Sequence, residues 1–217
     1  MDLARFKKKP LLGILRGISA DCVEPVVETA AGCGLEAMEI TMNTPEAARL
    51  ISEAVQVSGR RLMIGAGTVL TMESLKSALD SGATFIVTPV LVDDVTAYCV
   101  KNNIPVFPGA LTPSEIYQAW QAGAAMVKVF PAKVFGPEYF REVKGPLEKI
   151  GLMACAGVTA DNLKDYFACG ASAVSFGASV FKKEWLAKQD FKSIALAINR
   201  YIKAWQEMKP NLGTALE

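Results

Sequence analysis

Apolar residues fall in eight short runs of strand length, over 11–17, 37–42, 62–67, 85–89, 106–108, 126–130, 152–156 and 173–177. The runs are almost wholly apolar rather than alternating, which is the pattern of parallel strands covered on both faces. Between them lie amphipathic stretches, such as 22–33, 45–57 and 113–122, with apolar positions at helical spacing. Eight strand–helix units in 217 residues predict a single α/β domain over 1–217. Its expected form is a (β/α)8 TIM barrel with additional helices at the C-terminal end. An open doubly wound sheet is the alternative. That fold places a glycine-rich dinucleotide loop after its first strand, whereas here the first strand ends in Arg16-Gly17-Ile18.

An internal echo supports the barrel. Gly34, Gly82, Gly123 and Gly170 each stand at a helix end and lead into a strand, in "CGLEAMEI", "SGATFIVT", "AGAAMVKV" and "CGASAVSF". They are 48, 41 and 47 residues apart, about two strand–helix units each. Five residues beyond each glycine come Glu39, Val87, Lys128 and Ser175. If the units share a register, these four side chains have one phase on alternate strands. In such barrels alternate strands build one interior layer, so Glu39 and Lys128 are expected to face each other across the lumen. A slip of one residue would turn either outward.

Composition changes the picture mainly through one absence: the chain has no histidine. Ser-His-Asp and Cys-His catalysis in their usual forms are excluded, as is histidine-ligated zinc. Proton transfer is left to carboxylate, lysine, tyrosine, thiol or water. Five cysteines in no C-x-x-C pair read as free buried thiols. A formal net charge of +1 gives no field suited to nucleic acid or an anionic membrane, and Lys7-Lys8-Lys9 reads as a solvated arm. No apolar run approaches the roughly 18 residues that span a bilayer, and the first residues lack a signal-peptide core. The expectation is a soluble cytoplasmic protein.

Lys128 interrupts the apolar run Met126-Val127-Lys128-Val129-Phe130. It reads either as a structural lysine, paired or snorkelling, or as a Schiff-base nucleophile whose ammonium is disfavoured by burial. Glu39, between Met38 and Ile40, reads as a buried ion-pair partner or as a general acid/base. Arg16 closes the first strand and reads either as a salt-bridge partner for a surface carboxylate or as a clamp whose forked donors hold a substrate carboxylate. "GAGTVL" at 65–70 opens the backbone and sets the Thr68 hydroxyl at the site's edge, while Pro89 and Pro108 end the next two strands. The turns after the seventh and eighth strands read either as ordinary glycine-containing strand-to-helix turns or as a phosphate cradle, with backbone N–H groups from Gly157, Val158, Gly177, Ala178 and Ser179.

Together "ILRGI", "EITMNTP", "GAGTVL", "IVTP", "PGALTPSE", "VKVFPA", "FGPEY" and "GVTADN" resemble the 2-keto-3-deoxy-6-phosphogluconate / 4-hydroxy-2-oxoglutarate aldolase family. The motifs are most similar to its 2-keto-3-deoxy-6-phosphogalactonate branch. The resemblance implies a class I aldolase on a (β/α)8 fold. Such an enzyme cleaves a 2-keto-4-hydroxy acid reversibly to pyruvate and an aldehyde through a lysine Schiff base, without metal or organic cofactor. It places the catalytic lysine on Lys128, the acid/base glutamate on Glu39, the pyruvate pocket on Thr68, Pro89 and Phe130, and the carboxylate contact on Arg16. It also implies a homotrimer. The sequence departs from the family pattern at Asn43, where many members carry arginine. In the turn Ala154-Cys155-Ala156-Gly157 a hydroxyl and a first glycine are replaced, and Ala178 stands at a family serine. Two other readings use the same barrel: a phosphosugar isomerase or epimerase with Lys128 as an electrostatic group, and a non-catalytic self-assembling barrel.

Overall fold

A computed structural model describes residues 1–208, and the last residues of the expected domain, 209–217, lie outside the described residues. Nine parallel strand segments form one sheet. They are β1 (Leu11–Leu15), β2 (Ala37–Thr41), β3 (Met63–Gly67), β4 (Ile86–Val87), β5 (Val106–Phe107), β6 (Gly109–Ala110), β7 (Val127–Val129), β8 (Leu152–Cys155) and β9 (Ala173–Phe176). Their order in the sheet is β5-β4-β3-β2-β1-β9-β8-β7-β6, so only the two ends of the list are unpaired. Those ends belong to one stave. Pro108 has no N–H to give to a ladder and divides the predicted strand 106–108 from Gly109. Its carbonyl still accepts from Lys128 N–H at 2.8 Å, and Val106 O accepts from Ala125 N–H at 3.0 Å. On the other side Phe107 O accepts from Thr88 N–H at 3.2 Å. β5 and β6 therefore join β4 to β7, and nine segments make the eight staves of a barrel.

The helices between staves are α2 (Val23–Gly32), α3 (Ala47–Ser58), α4 (Met72–Asp80), α5 (Asp93–Lys101), α6 (Pro113–Gln121), α7 (Glu138–Lys144) and α8 (Leu163–Ala168). An N-terminal α1 (Leu3–Lys8) and the C-terminal α9 (Lys183–Ala187) and α10 (Phe191–Gln206) complete the set. Starts are written locally. Thr112 and Glu115 form a reciprocal capping box with Pro113 in the first turn of α6, and Thr71 with Ser74 does the same for α4. No helix among the described residues is long and apolar enough to cross a membrane.

The all-apolar strands have two faces to bury, and both are filled. One core lies between staves and helices. The other fills the lumen with Leu12, Met63, Phe85, Phe107, Met126 and Met153 among its members. Helix α1 inserts Phe6 into the end where the strands begin, with its ring centroid 6.2 Å from Phe107, itself 6.0 Å from Phe85. Each such buried aromatic contributes about 1.5–3 kcal/mol. Plugging one end with apolar rings leaves the lumen's polar side chains to the end where the strands finish.

Candidate active site

Glu39 and Lys128 are 1% and 6% exposed, and Ser175 and Val87 are buried in the same interior, as the shared register requires. β2 and β7 are not neighbours in the sheet, so their side chains can meet only across the lumen. Lys128 is near enough to act on the Glu39 carboxyl, without an ion pair within 4 Å among the described residues. Burial pushes the Glu39 carboxyl up, against the opposing pull of Lys128 and then of Arg16. Glu39 Oε2 is buried and has no hydrogen-bond partner among the described residues. A buried carboxyl oxygen so placed can exchange a proton with a bound molecule.

The space beside Glu39 depends on one glycine. A Cβ built on Gly67 would lie 2.6 Å from Glu39 Cδ and nearer still to Oε1. Gly67→Ala is therefore expected to displace the carboxylate, cutting kcat about a hundredfold while costing only about 1–3 kcal/mol of stability. Steady-state kinetics and thermal unfolding measured together check this, and a wild-type kcat contradicts it.

The other residues expected at the mouth are gathered there. Lys128 Nζ lies 5.3 Å from the centroid of the Phe130 ring, in cation–π range. The Pro89 carbonyl abuts Gly109, leaving no room for a Cβ there, and Gly109 pairs in register with Lys128. Thr68 takes φ 57° and receives a long contact, 3.5 Å, from Arg16 Nη2. The loop that carries Arg16 is tied down by Thr44. Its hydroxyl accepts from Gly17 N–H at 3.0 Å and lies 3.1 Å from the buried Thr41 hydroxyl on β2. Asn43 is exposed beside this pair. Cys155, which the sequence marks only as part of an altered turn and not as a site residue, follows Met153 at the interior spacing. Burial pushes its thiol up against the pull of Lys128, and Ser175 and Glu39 also act on it. It belongs to the same polar cluster.

The turn after β8 keeps its shape without the first glycine: Ala156 takes φ 72° and Gly157 φ 88°. A left-handed alanine costs of order 1 kcal/mol, so the neighbourhood must hold it. Three successive carbonyls are held. Ala156 O accepts from Lys133 N–H at 3.0 Å, Gly157 O from Asn162 Nδ2 at 3.0 Å, and Val158 O from the Tyr201 hydroxyl at 2.9 Å. A trans peptide aims its N–H opposite its carbonyl. The N–H groups of Gly157 and Val158 thus point away from these partners, and neither has a protein acceptor among the described residues. After β9, Gly177 O accepts from Val180 and Phe181 N–H at 2.9 and 2.8 Å, and the amides of Ala178 and Ser179 are likewise without a protein acceptor there. Carbonyls occupied and amides free is the arrangement of an anion cradle. At the opposite end of the barrel, a cleft of about 340 Å³ touches Arg5, Arg60 and Thr84. The Arg5 donors there are already engaged by Glu36 and two backbone carbonyls, and none of the residues above reaches it.

Known proteins resemble this chain in sequence and in fold. A family model described as KDPG and KHG aldolase matches residues 3–197. The 2-dehydro-3-deoxy-6-phosphogalactonate aldolase of Escherichia coli is 33% identical over 201 residues, covering 92% of this chain and 96% of that protein. The 2-dehydro-3-deoxy-phosphogluconate aldolase of Haemophilus influenzae is 28% identical over 201 residues, covering 92% and 94%. A solved structure described as native KDPGal superposes with a TM-score of 0.87 at 33% identity, covering 94% of this chain and 97% of that one. With the family model spanning most of the chain and a relative one-third identical over nearly its whole length, the chain belongs to the KDPG and KHG aldolase family.

Proposed function

We propose that the protein is a class I aldolase that cleaves a 2-keto-3-deoxy sugar acid, or a similar 2-keto-4-hydroxy acid, to pyruvate and an aldehyde. The observation that carries this reading is the Lys128–Glu39 pair: an amine and a carboxyl group buried across one lumen, with one carboxyl oxygen left unpartnered. A pair kept only for structure would close into an ion pair. No contact within 4 Å joins these two among the described residues, although seven other ion pairs form there.

The steps follow from the groups present. The Lys128 amine adds to the C2 carbonyl, and the carbinolamine hydroxyl, protonated by Glu39, leaves as water to give a protonated imine. The C3–C4 bond breaks with its electron pair passing to the imine nitrogen, which leaves the enamine of pyruvate. The proton of the 4-hydroxyl passes to Glu39, through a water, as the aldehyde forms. Returned to C3, that proton converts the enamine to the pyruvate imine, and hydrolysis frees pyruvate and the amine. A carboxyl raised by burial is suited to both directions of this transfer. Arg16 and Thr68 hold the carboxylate, and Pro89 and Phe130 wall the three-carbon end. The free amides of Gly157, Val158, Ala178 and Ser179, with that of Gly177, receive a distal phosphate. The names of the relatives support a phosphorylated substrate. No metal or organic cofactor enters, because the lysine supplies the electron sink.

A homotrimer in the cytoplasm belongs to the same proposal. Val134 and Phe135, each 56% exposed beside the mouth, offer apolar surface to a neighbouring copy. Pyruvate release from phosphorylated and unphosphorylated 2-keto-3-deoxy acids, measured side by side, tests the function. Release is expected from both, with the larger kcat/KM for the phosphorylated acid. Release from neither contradicts the reading.

A further inference from the structure

The two turns that carry the free amides come from different staves, and a single phosphate can use both only if their separation is fixed. One side chain spans them. Tyr201, on α10, is 3% exposed, and its ring packs on Phe176 at the end of β9 with centroids 4.3 Å apart. Its hydroxyl donates to Val158 O at 2.9 Å and lies 2.8 Å from Ser179 Oγ. A phenol has one proton, so in the second contact the serine is the donor. The Ser179 hydroxyl proton is therefore committed to the tyrosine, and what Ser179 has left for a ligand is its backbone N–H. Burial pushes the Tyr201 phenol up, which keeps it protonated and donating. A second link from α10, Arg200 to Asp161 at 2.8 and 3.1 Å, reaches the same β8 turn but is exposed and contributes little.

We infer that Tyr201 is a positioning residue for the phosphate subsite, a strut that sets the distance between the Gly157–Val158 amides and the Ala178–Ser179 amides. This rests on the reading of those amides as a phosphate cradle. Without the hydroxyl, Val158 O loses its donor, Ser179 loses its acceptor, and the two turns are free to separate. A displacement near 1 Å is enough to spoil donors that must converge on one tetrahedral group.

The test is Tyr201→Phe, which keeps the ring on Phe176, with Ser179→Ala as a second variant that removes one arm of the strut. Three quantities are measured in each: KM and kcat for the phosphorylated keto acid, the same for its unphosphorylated counterpart, and the inhibition constant of inorganic phosphate. In Tyr201→Phe, KM for the phosphorylated acid and the phosphate inhibition constant are expected to rise about tenfold. Its kcat is expected to change less than about twofold. The preference for the phosphorylated acid then falls by the same factor as KM rises. Ser179→Ala is expected to shift both constants the same way by less, and it carries the test alone if Tyr201→Phe does not fold. If the wild type prefers the phosphorylated acid and both variants keep its constants, the strut is refuted and the phosphate reading survives. A wild type with no preference and no inhibition by phosphate overturns the cradle, and this inference with it.

Discussion

Replacing Lys128 by alanine is expected to abolish aldol cleavage, by about ten-thousandfold or more in kcat, with the fold intact. Among the described residues, no other side chain in the lumen can replace it as nucleophile. Cys155 is the nearest candidate, but burial holds its thiol protonated and a thiol cannot form an imine. The loss of one buried side chain from a lumen already filled by Phe85, Phe107 and Met153 leaves the lower core untouched, so circular dichroism should match the wild type. Lys128→Arg sharpens the result. Arginine keeps the charge but is never a neutral amine, so it is expected to be as inactive as alanine. Were Lys128 only an electrostatic group, as an isomerase on this barrel would use it, arginine would retain a good part of the activity. A shared loss in both variants, read by pyruvate release, separates the two roles.

Glu39→Gln is expected to slow turnover about a hundredfold to ten-thousandfold while substrate still binds. Glutamine is isosteric and fits the space left by Gly67, so binding contacts remain and only proton transfer is removed. The acid limb of the wild-type kcat/KM profile is expected above the usual carboxylate range, because burial raises Glu39 more than Lys128 and Arg16 lower it, and this limb is expected to vanish in the variant. The same shift has a stability signature of unusual sign. A carboxyl raised by folding holds more protons folded than unfolded between its two pKa values. Stability attributable to it is therefore full below the unfolded pKa and is lost as pH rises through the folded one. Glutamine does not titrate. The Tm of Glu39→Gln is thus expected to match the wild type in acid and to exceed it towards neutral pH. A variant less stable than wild type at neutral pH would show that Glu39 is held as a structural ion.

The sequence made the upper lumen legible because the barrel repeats itself. Four helix-ending glycines at near-constant spacing fix the phase of the strands that follow, and that phase alone brings Glu39 towards Lys128. The division of the fifth stave at Pro108 was not legible. A proline carbonyl still accepts from the next strand, and the pairing is tertiary. Ala156 is the instructive case. Read locally, alanine in place of glycine weakens the turn. In the structure it stands at φ 72° because Lys133, Asn162 and Tyr201 hold this carbonyl and the two that follow. Tyr201 itself lies 43 residues from Val158 and 22 from Ser179, with nothing in its flanking helix to mark it, so only the three-dimensional contact exposes its part. Cys155 could have been found from spacing, since it lies two residues beyond Met153, but a thiol in an apolar strand carries no signal of its own.

The most direct test of the central claim is reduction with borohydride in the presence of pyruvate, followed by mapping of the modified peptide. The account predicts one stable adduct, on Lys128, formed in proportion to lost activity and absent from Lys128→Ala. An adduct on another lysine, or protein that keeps full activity with no adduct after treatment, would contradict it.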